Sequence, residues 1–251
     1  MDDVLQDTIN LFGDAPSDDG KIRYGPLVLT TAPKEGKANT LLADHLFSPS
    51  LLLAEQIERG LIPIAGKTVL ELGSGCALPS LLCAISPQPA STVVITDYPD
   101  HTIMDNLKEN VSRNESHFNP ECTVHVVGYE WGQDVQPLLS LSHPGFDVVI
   151  LSDLLHFDQS HPVLLSSLTR TLRKSPSART YVAAGKYTLA HHCDHFLREG
   201  EKARLAWEEG IDDPEWRGSL EVSGGGLDRE QLGVRKGMCR WWVGRWKEFD
   251  H

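Results

Sequence analysis

The stretch Lys67–Leu82, KTVLELGSGCALPSLL, constrains the fold more than any other part of the chain. Thr68 to Leu72 is a short apolar run with Val69, Leu70 and Leu72, the pattern of a buried strand. Gly73-Ser74-Gly75 follows at once, and two glycines so close let the backbone turn sharply and approach a ligand with no Cβ in the way. From Ala77 onward the run LPSLLCAI has helical spacing. The turn therefore delivers a helix N-terminus, whose free N–H groups favour electron-rich ligand atoms.

The turn admits two ligand readings. A dinucleotide fingerprint, G-x-G-x-x-G, needs a third glycine for close helix–strand packing, and Leu78 occupies that position. The other reading is the acid-x-G-x-G loop of S-adenosylmethionine (SAM) methyltransferases, with Glu71 two residues before the first glycine. The methionine end of SAM carries an ammonium and a sulfonium, which suit an acidic wall; a pyrophosphate would be repelled by one. A strand–turn–helix that binds nothing has the same local pattern, so residues elsewhere decide.

With 251 residues, 40% of them hydrophobic, the chain can build one sizeable core, and one main domain is expected. Its formal net charge of −12 disfavours nucleic acid and anionic membranes as partners. The same charge suits a basic protein substrate, or solubility alone. The five cysteines include no C-x-x-C pair, so neither a disulfide framework nor a zinc knuckle is indicated and a reducing compartment is the default. The acidic start MDDVLQD has no basic and apolar leader pattern, and no apolar run approaches membrane-spanning length. The expected location is cytoplasmic, with the nucleus as the other choice.

Residues 1–40, polar and rich in Gly, Pro and Asp, read as a flexible N-terminal extension, with Tyr24–Thr31 as a short edge strand; residues 41–251 read as the domain. Leu46–Arg59 is a helix with Ser48 as N-cap, Pro49 at its first position and Gly60 at its end. Strands are expected at Thr92–Thr96, Cys122–Val127, Phe146–Leu151 and Thr180–Ala184, with helices at Asp100–Arg113, Asp158–Leu172, Thr188–Gly200 and Lys202–Glu209. Trp216–Val222 and Cys239–Trp246 read as two late strands joined by SGGGLDREQLGVRKG as a long hairpin loop. The alternation predicts a Rossmann-like α/β fold: a mainly parallel seven-stranded sheet, helices on both faces, and a C-terminal antiparallel hairpin.

In such a sheet, ligands sit at the carboxyl ends of the strands. Asp97, after the second strand, is placed to accept hydrogen bonds from a ribose diol. Trp131, in the loop after the third strand, has a ring that can lie flat on adenine. His191 and His195 share a helix face, but no third metal ligand accompanies them, so no metal is expected. Arg235-Lys236 and RWWVGRW mix basic and aromatic residues, a pattern better read as a strand with alternate side chains on the core than as a nucleic-acid face.

Taken together, VLELGSG, ITDYP, EWG and LSDLL resemble the class I seven-stranded SAM-dependent methyltransferases, and more narrowly their lysine-methyltransferase-like branch. Within it the resemblance is to the fungal group labelled nicotinamide N-methyltransferase-like, which includes the enzyme that methylates the N-terminal region of translation elongation factor 1-alpha. The resemblance spans roughly residues 40–250 and implies SAM as cofactor. It implies that Glu71, Gly73, Ser74 and Gly75 surround the methionine end, that Asp97 holds the ribose with Tyr98 beside it, that Trp131 flanks the adenine, and that Ser152 approaches the sulfonium. Asp153 begins the branch's acid-x-x-aromatic motif at the acceptor pocket, but the aromatic position holds His156, followed by Phe157. Where the family commonly has a tryptophan before the glycine loop, this chain has Phe47.

A lysine acceptor is protonated at neutral pH and must lose its proton before it can attack a methyl group. Asp153 and His156 are the candidate catalytic residues, the first to orient the amine, and a ring at His156 or Phe157 to stabilise the cationic product. The expected activity is N-methylation of a protein amine, lysine or N-terminal, with an elongation factor 1-alpha-like substrate as candidate. The alternatives are a small-molecule N-methyltransferase and a non-catalytic SAM-binding partner protein.

Overall fold

The apolar runs flanking the glycine turn become the centre of a twisted sheet. In the computed structural model, which describes residues 20–211, 213–224 and 227–247, β1 (Ile22–Tyr24) and β2 (Leu27–Leu29) precede α1 (Gly36–Thr40) and α2 (Ser48–Glu58). Then follow β3 (Thr68–Leu72), α3 (Leu78–Ile85), β4 (Thr92–Asp97), α4 (His101–Asn114), β5 (Thr123–Gly128), α5 (Gln136–Leu139) and β6 (Val148–Ser152). The chain continues through α6 (His161–Thr171), β7 (Arg179–Gly185), α7 (Ala190–Lys202), β8 (Leu205–Glu209), β9 (Val222–Ser223), α8 (Arg229–Gly237) and β10 (Cys239–Trp246).

The main sheet has seven strands in the order β5-β4-β3-β6-β7-β10-β8, parallel from β5 to β7 and antiparallel on both sides of β10. Its interior strands alternate: Val148 and Ile150 of β6 join the core under α2 and α3, whereas Val149 and Leu151 join the core under α6 and α7. Burying both faces explains why these strands read as continuous apolar runs. The chain moves outward from β3 through β4 to β5, then returns to the other side of β3 for β6 and β7. That reversal opens a crevice at the carboxyl ends. Leu72 is paired with Thr96 on one side and Leu151 on the other, so Gly73, Asp97 and Ser152 emerge side by side.

The strand paired with β10 differs from expectation. Lys202–Glu209, expected as helix, turns at Arg204 (φ 70°) and becomes β8, a sheet edge. Pairing with β10 overrides the helix propensity of its Lys, Ala, Arg and Glu. Gly200 does not break α7; Trp207 packs so closely on it that a Cβ there would lie 2.7 Å from the indole ring. The expected strand Trp216–Val222 is irregular up to Glu221, and Val222 and Ser223 pair with β1 in a separate three-stranded sheet. The expected hairpin loop contains α8, capped by the Asp228 carboxylate, which accepts from the Gln231 N–H at 2.8 Å. Ser48 is the first residue of α2 rather than its cap; extended Phe47 takes that place.

Residues 20–40, expected within a flexible extension, carry β1, β2 and α1; residues 1–19 of that extension lie outside the described part. An asparagine ladder on α4 completes the edge of this hairpin. The Asn114 side chain accepts from Val28 N–H at 2.8 Å and donates to Val28 C=O at 2.9 Å. The Asn110 side chain does the same for Thr30 at 2.9 and 2.8 Å, and Asn106 adds a bond to Thr30 C=O at 3.0 Å. Spacing of four puts these amides on one helix face, where they satisfy backbone groups that a partner strand would otherwise pair.

Candidate active site

The glycine turn is fixed by the strand beside it. Ser74 donates both its N–H (3.0 Å) and its hydroxyl (2.7 Å) to Thr96 C=O. Gly73 and Gly75 have φ of 64° and 56°, a region that favours glycine. A Cβ on Gly73 would lie 2.8 Å from Leu154, whereas one on Gly75 would meet only open space. Asp97, at the end of β4, accepts from Gly75 N–H on one oxygen and from Tyr98 N–H on the other, both at 2.7 Å. Burial pushes its carboxyl up to about 6, against the pull of those two N–H groups, so it is mostly ionised at neutral pH.

These residues open into a cavity of about 1040 Å³, counting its solvent-facing mouth. Of the residues singled out from sequence, Phe47, Gly73, Ser74, Gly75, Asp97, Tyr98, Trp131, Ser152, Asp153, His156 and Phe157 line it together. Glu71 does not. Its carboxylate turns under the start of α3, accepting from the Ser80 hydroxyl at 2.5 Å and the Ser80 N–H at 3.2 Å. Burial raises its carboxyl to about 8, so the expected charged wall is a neutral acid beneath the turn at pH 7.

The other end of the cavity is built on the loop after β6. Asp153 has φ of 62°, held by its N–H bond to Ala183 C=O at 2.8 Å. Its Oδ1 accepts from Gly185 N–H at 3.1 Å and its Oδ2 from the Tyr187 hydroxyl. Burial raises the Asp153 carboxyl, and the nearby His156 ring and the two hydrogen bonds oppose that rise. Burial also lowers His156, which is therefore neutral at physiological pH; both its ring nitrogens are buried and lack a protein partner. The His156 ring lies 4.0 Å from that of Phe157, which meets Trp131 edge-on at 5.9 Å. Across the cavity Phe47 touches Tyr187 (6.3 Å) and His45 (5.5 Å).

Several of these groups escaped sequence reasoning. His45 follows Asp44 and donates through Nδ1 to its carboxylate at 2.9 Å, while His45 Nε2 and Asp44 Oδ2 have no protein partner. Tyr187 sits two residues past β7, and the rule that strand carboxyl ends carry the site would have pointed to it. The metal-capable histidines do not converge: among the described residues no three His, Cys, Asp or Glu side chains are grouped to hold an ion. Arg235 and Lys236 turn inward, Lys236 onto Glu55 at 2.7 Å and Arg235 onto Ser48 at 3.1 Å. Among the described residues no helix is long and apolar enough to cross a membrane.

The sheet order and the crevice define a class I methyltransferase fold, and solved structures agree. A methyltransferase from Pyrococcus furiosus superposes with a TM-score of 0.50 at 13% identity, covering 78% of this chain and 82% of that one. A predicted O-methyltransferase from Agrobacterium tumefaciens gives 0.51 at 10% identity, covering 78% and 79%. The sequence profile of the lysine methyltransferase family matches residues 38–199, and the chain belongs to that family. It is 34% identical to the protein N-terminal and lysine N-methyltransferase of Emericella nidulans over 60% of this chain and 60% of that protein. The counterpart in Schizosaccharomyces pombe is 30% identical over 71% and 70%, and that in Cryptococcus neoformans 30% identical over 82% and 74%. The first curated relatives are thus matched over about three fifths of their length.

Proposed function

We propose that this protein is a SAM-dependent N-methyltransferase acting on a protein amine, lysine or N-terminal. The names of its relatives support a protein acceptor. The observation that carries the reading is Asp153: a buried carboxyl group in a left-handed turn, lining the same cavity as the glycine turn and a set of aromatic rings.

The chain fits the cofactor on its own terms. Asp97 offers two fixed carboxylate oxygens at the strand end, suited to a vicinal diol. Open space over Gly75 admits a close-lying chain. Ser152 Oγ is buried in the cavity wall without a protein partner. Tyr98 and Trp131 supply apolar walls for a purine. Asp97 would thus hold the ribose, Gly73, Ser74 and Gly75 would underlie the methionine end, and Ser152 would meet it near the sulfur. When bound, SAM supplies an electrophilic methyl group whose leaving group is a neutral thioether.

The chain's own groups do the rest. Asp153 accepts an N–H of the incoming amine and aims the nitrogen lone pair along the cavity. His156, neutral and unpartnered, presents a nitrogen that can take a proton from an α-ammonium group, whose pKa of about 8 is nearer to imidazole than that of lysine. The rings of Phe157 and Phe47 exclude water and face the cationic product.

We further propose a cytoplasmic site of action, in keeping with five unbridged thiols, and an elongation factor 1-alpha-like acceptor, since the acidic chain suits a basic protein segment. A small-molecule acceptor is the second reading, favoured by the wall that residues 41–47 build over the cavity. Incubation with methyl-labelled SAM, recombinant elongation factor 1-alpha and nicotinamide in separate arms tests both. Label in the factor supports the first reading, label in nicotinamide the second. Binding of SAM with no transfer to any component of a cell extract sinks both.

A further inference from the structure

We propose that Tyr187 is a positioning residue for the acceptor amine: its phenolic O–H clamps Asp153 Oδ2 and fixes the direction in which that carboxylate receives the substrate. This rests on the role of Asp153 proposed above. The two groups come from different strands' ends, 34 residues apart, so the contact is a product of the fold and not of a local turn.

Three features show that the contact is built. First, Gly185 N–H holds the other carboxylate oxygen at 3.1 Å, so the two donors together fix the rotation of the Asp153 carboxylate. A carboxylate has about four lone-pair positions, and these bonds use two, leaving one on each oxygen for an amine. Second, Tyr187 lies across Gly185 so closely that a Cβ there would stand 2.1 Å from its ring. Glycine at this strand end is what lets the ring reach Asp153. Third, the segment carrying Tyr187 is pinned on both flanks: Lys186 N–H donates to Met238 C=O at 2.7 Å, and Thr188 N–H to Gly185 C=O at 3.0 Å. The ring itself touches Phe47 at 6.3 Å, so it backs a residue that lines the cavity.

The alternative for an untethered Asp153 is rotation toward His156, the titratable group on its own loop. From other elements, Cys193 of α7 faces Asp153, and Arg235 and Cys239 face Tyr187. None of these donates a hydrogen bond to the Asp153 oxygens among the described residues; Tyr187 and Gly185 do. A rotated carboxyl group would still be buried but would aim the amine off the line of methyl transfer, a geometric loss that falls on turnover rather than on cofactor binding.

The test uses the full chain with methyl-labelled SAM and the acceptor that wild type labels most strongly among elongation factor 1-alpha, nicotinamide and whole-cell protein extract. Tyr187→Phe keeps the ring against Phe47 and removes one oxygen. It should lower kcat about 10-fold while the affinity for S-adenosylhomocysteine and the melting temperature stay near wild type. The phenol also lowers the Asp153 carboxyl, so its loss should move the acid limb of the kcat–pH profile to higher pH. Gly185→Ala, which displaces the ring, should reproduce the kcat loss, with Asp153→Asn as the reference for complete loss of the carboxylate. Wild-type kcat and pH profile in Tyr187→Phe, with Asp153→Asn inactive, overturn the clamp and leave the proposed function standing. Parallel loss of S-adenosylhomocysteine affinity or melting temperature in Tyr187→Phe makes the residue merely structural and overturns it as well. Wild-type turnover in Asp153→Asn, or no transfer by wild type to any of the three acceptors, removes the proposed function and the clamp with it.

Discussion

The two ends of the cavity are built differently. At the glycine turn Ser74 is engaged with Thr96 and Asp97 with the N–H groups of Gly75 and Tyr98, while Glu71 and Ser152 each keep one buried oxygen with no protein partner. At the far end, His156, His45 and Asp44 each keep buried polar atoms with no protein partner, and Asp153 is held in a left-handed conformation. An unsatisfied buried polar atom costs about 1–3 kcal/mol, so the far end is the less relaxed of the two. The lesson is a division of labour. A cofactor common to many enzymes meets the more nearly satisfied frame; the acceptor meets the larger share of the unpartnered groups.

The largest effects should separate these ends. Asp97→Ala should weaken SAM binding about 100-fold, near 3 kcal/mol, by removing the charged acceptor of the ribose diol. Asp153→Asn should lower turnover at least about 100-fold and leave SAM affinity within about 2-fold. Calorimetry and single-turnover transfer read the two quantities independently. If both substitutions move the same quantity, the division is wrong.

A smaller effect comes from the neutral acid beneath the turn. Burial holds the Glu71 carboxyl at about 8, well above the ~4.3 of an unfolded chain. Between those values the folded state binds the extra proton, so this group's contribution makes stability fall as pH rises. The loss is complete above pH 8, where the folded carboxylate must ionise while buried. Glu71→Gln keeps an oxygen for Ser80 and cannot titrate. It should be more stable than wild type at pH 8–9, with the gap closing toward pH 4–5. Denaturant melts across that range decide it. A wild-type stability that rises with pH through this window would mean that Glu71 is ionised in the fold, restoring the charged wall expected from the sequence.

The asparagine ladder offers a third, smaller contrast, outside the cavity. Asn114→Ala strands the Val28 N–H and C=O and should cost about 1–3 kcal/mol. Turnover per folded molecule should stay near wild type. A turnover loss matching that of Asp153→Asn would tie the hairpin directly to acceptor handling.

The same contrast governs how much was legible in the sequence. The frame end depends on local chemistry: a strand, two glycines and an acid after the next strand, all within Lys67–Asp97. Its residues were found because each pattern constrains its own neighbours. Glu71 shows where local reading stops, since which way a buried carboxylate turns depends on Ser80 across the turn. At the acceptor end, Asp153 and His156 stood out by position, but Tyr187 and Asp44–His45 are contributed by segments far apart in sequence. Likewise β8 was misread because its strand state comes from pairing with β10, and α8 because three glycines ahead of it masked the Asp228 cap. The alternation along β6 and the strand order needed no such long-range knowledge beyond parallel α/β rules.

Phe47 is where the two ends meet, and the smallest expected effect lies there. The residue caps α2 in extended conformation, lines the cavity, and stacks its ring between His45 and Tyr187. Phe47→Trp keeps a ring against both neighbours and adds area on the cavity side, so SAM affinity should change by no more than about 2-fold. Phe47→Ala removes the ring and lets water reach Tyr187, which should lower turnover more than it weakens SAM binding. The pair of variants sharpens the comparison between the two ends. If Phe47→Ala loses cofactor affinity first and turnover only in proportion, Phe47 belongs to the frame that holds SAM. If turnover falls while affinity holds, the ring belongs with Tyr187 and Asp153, and the boundary between frame and acceptor end runs along the glycine-turn side of α2.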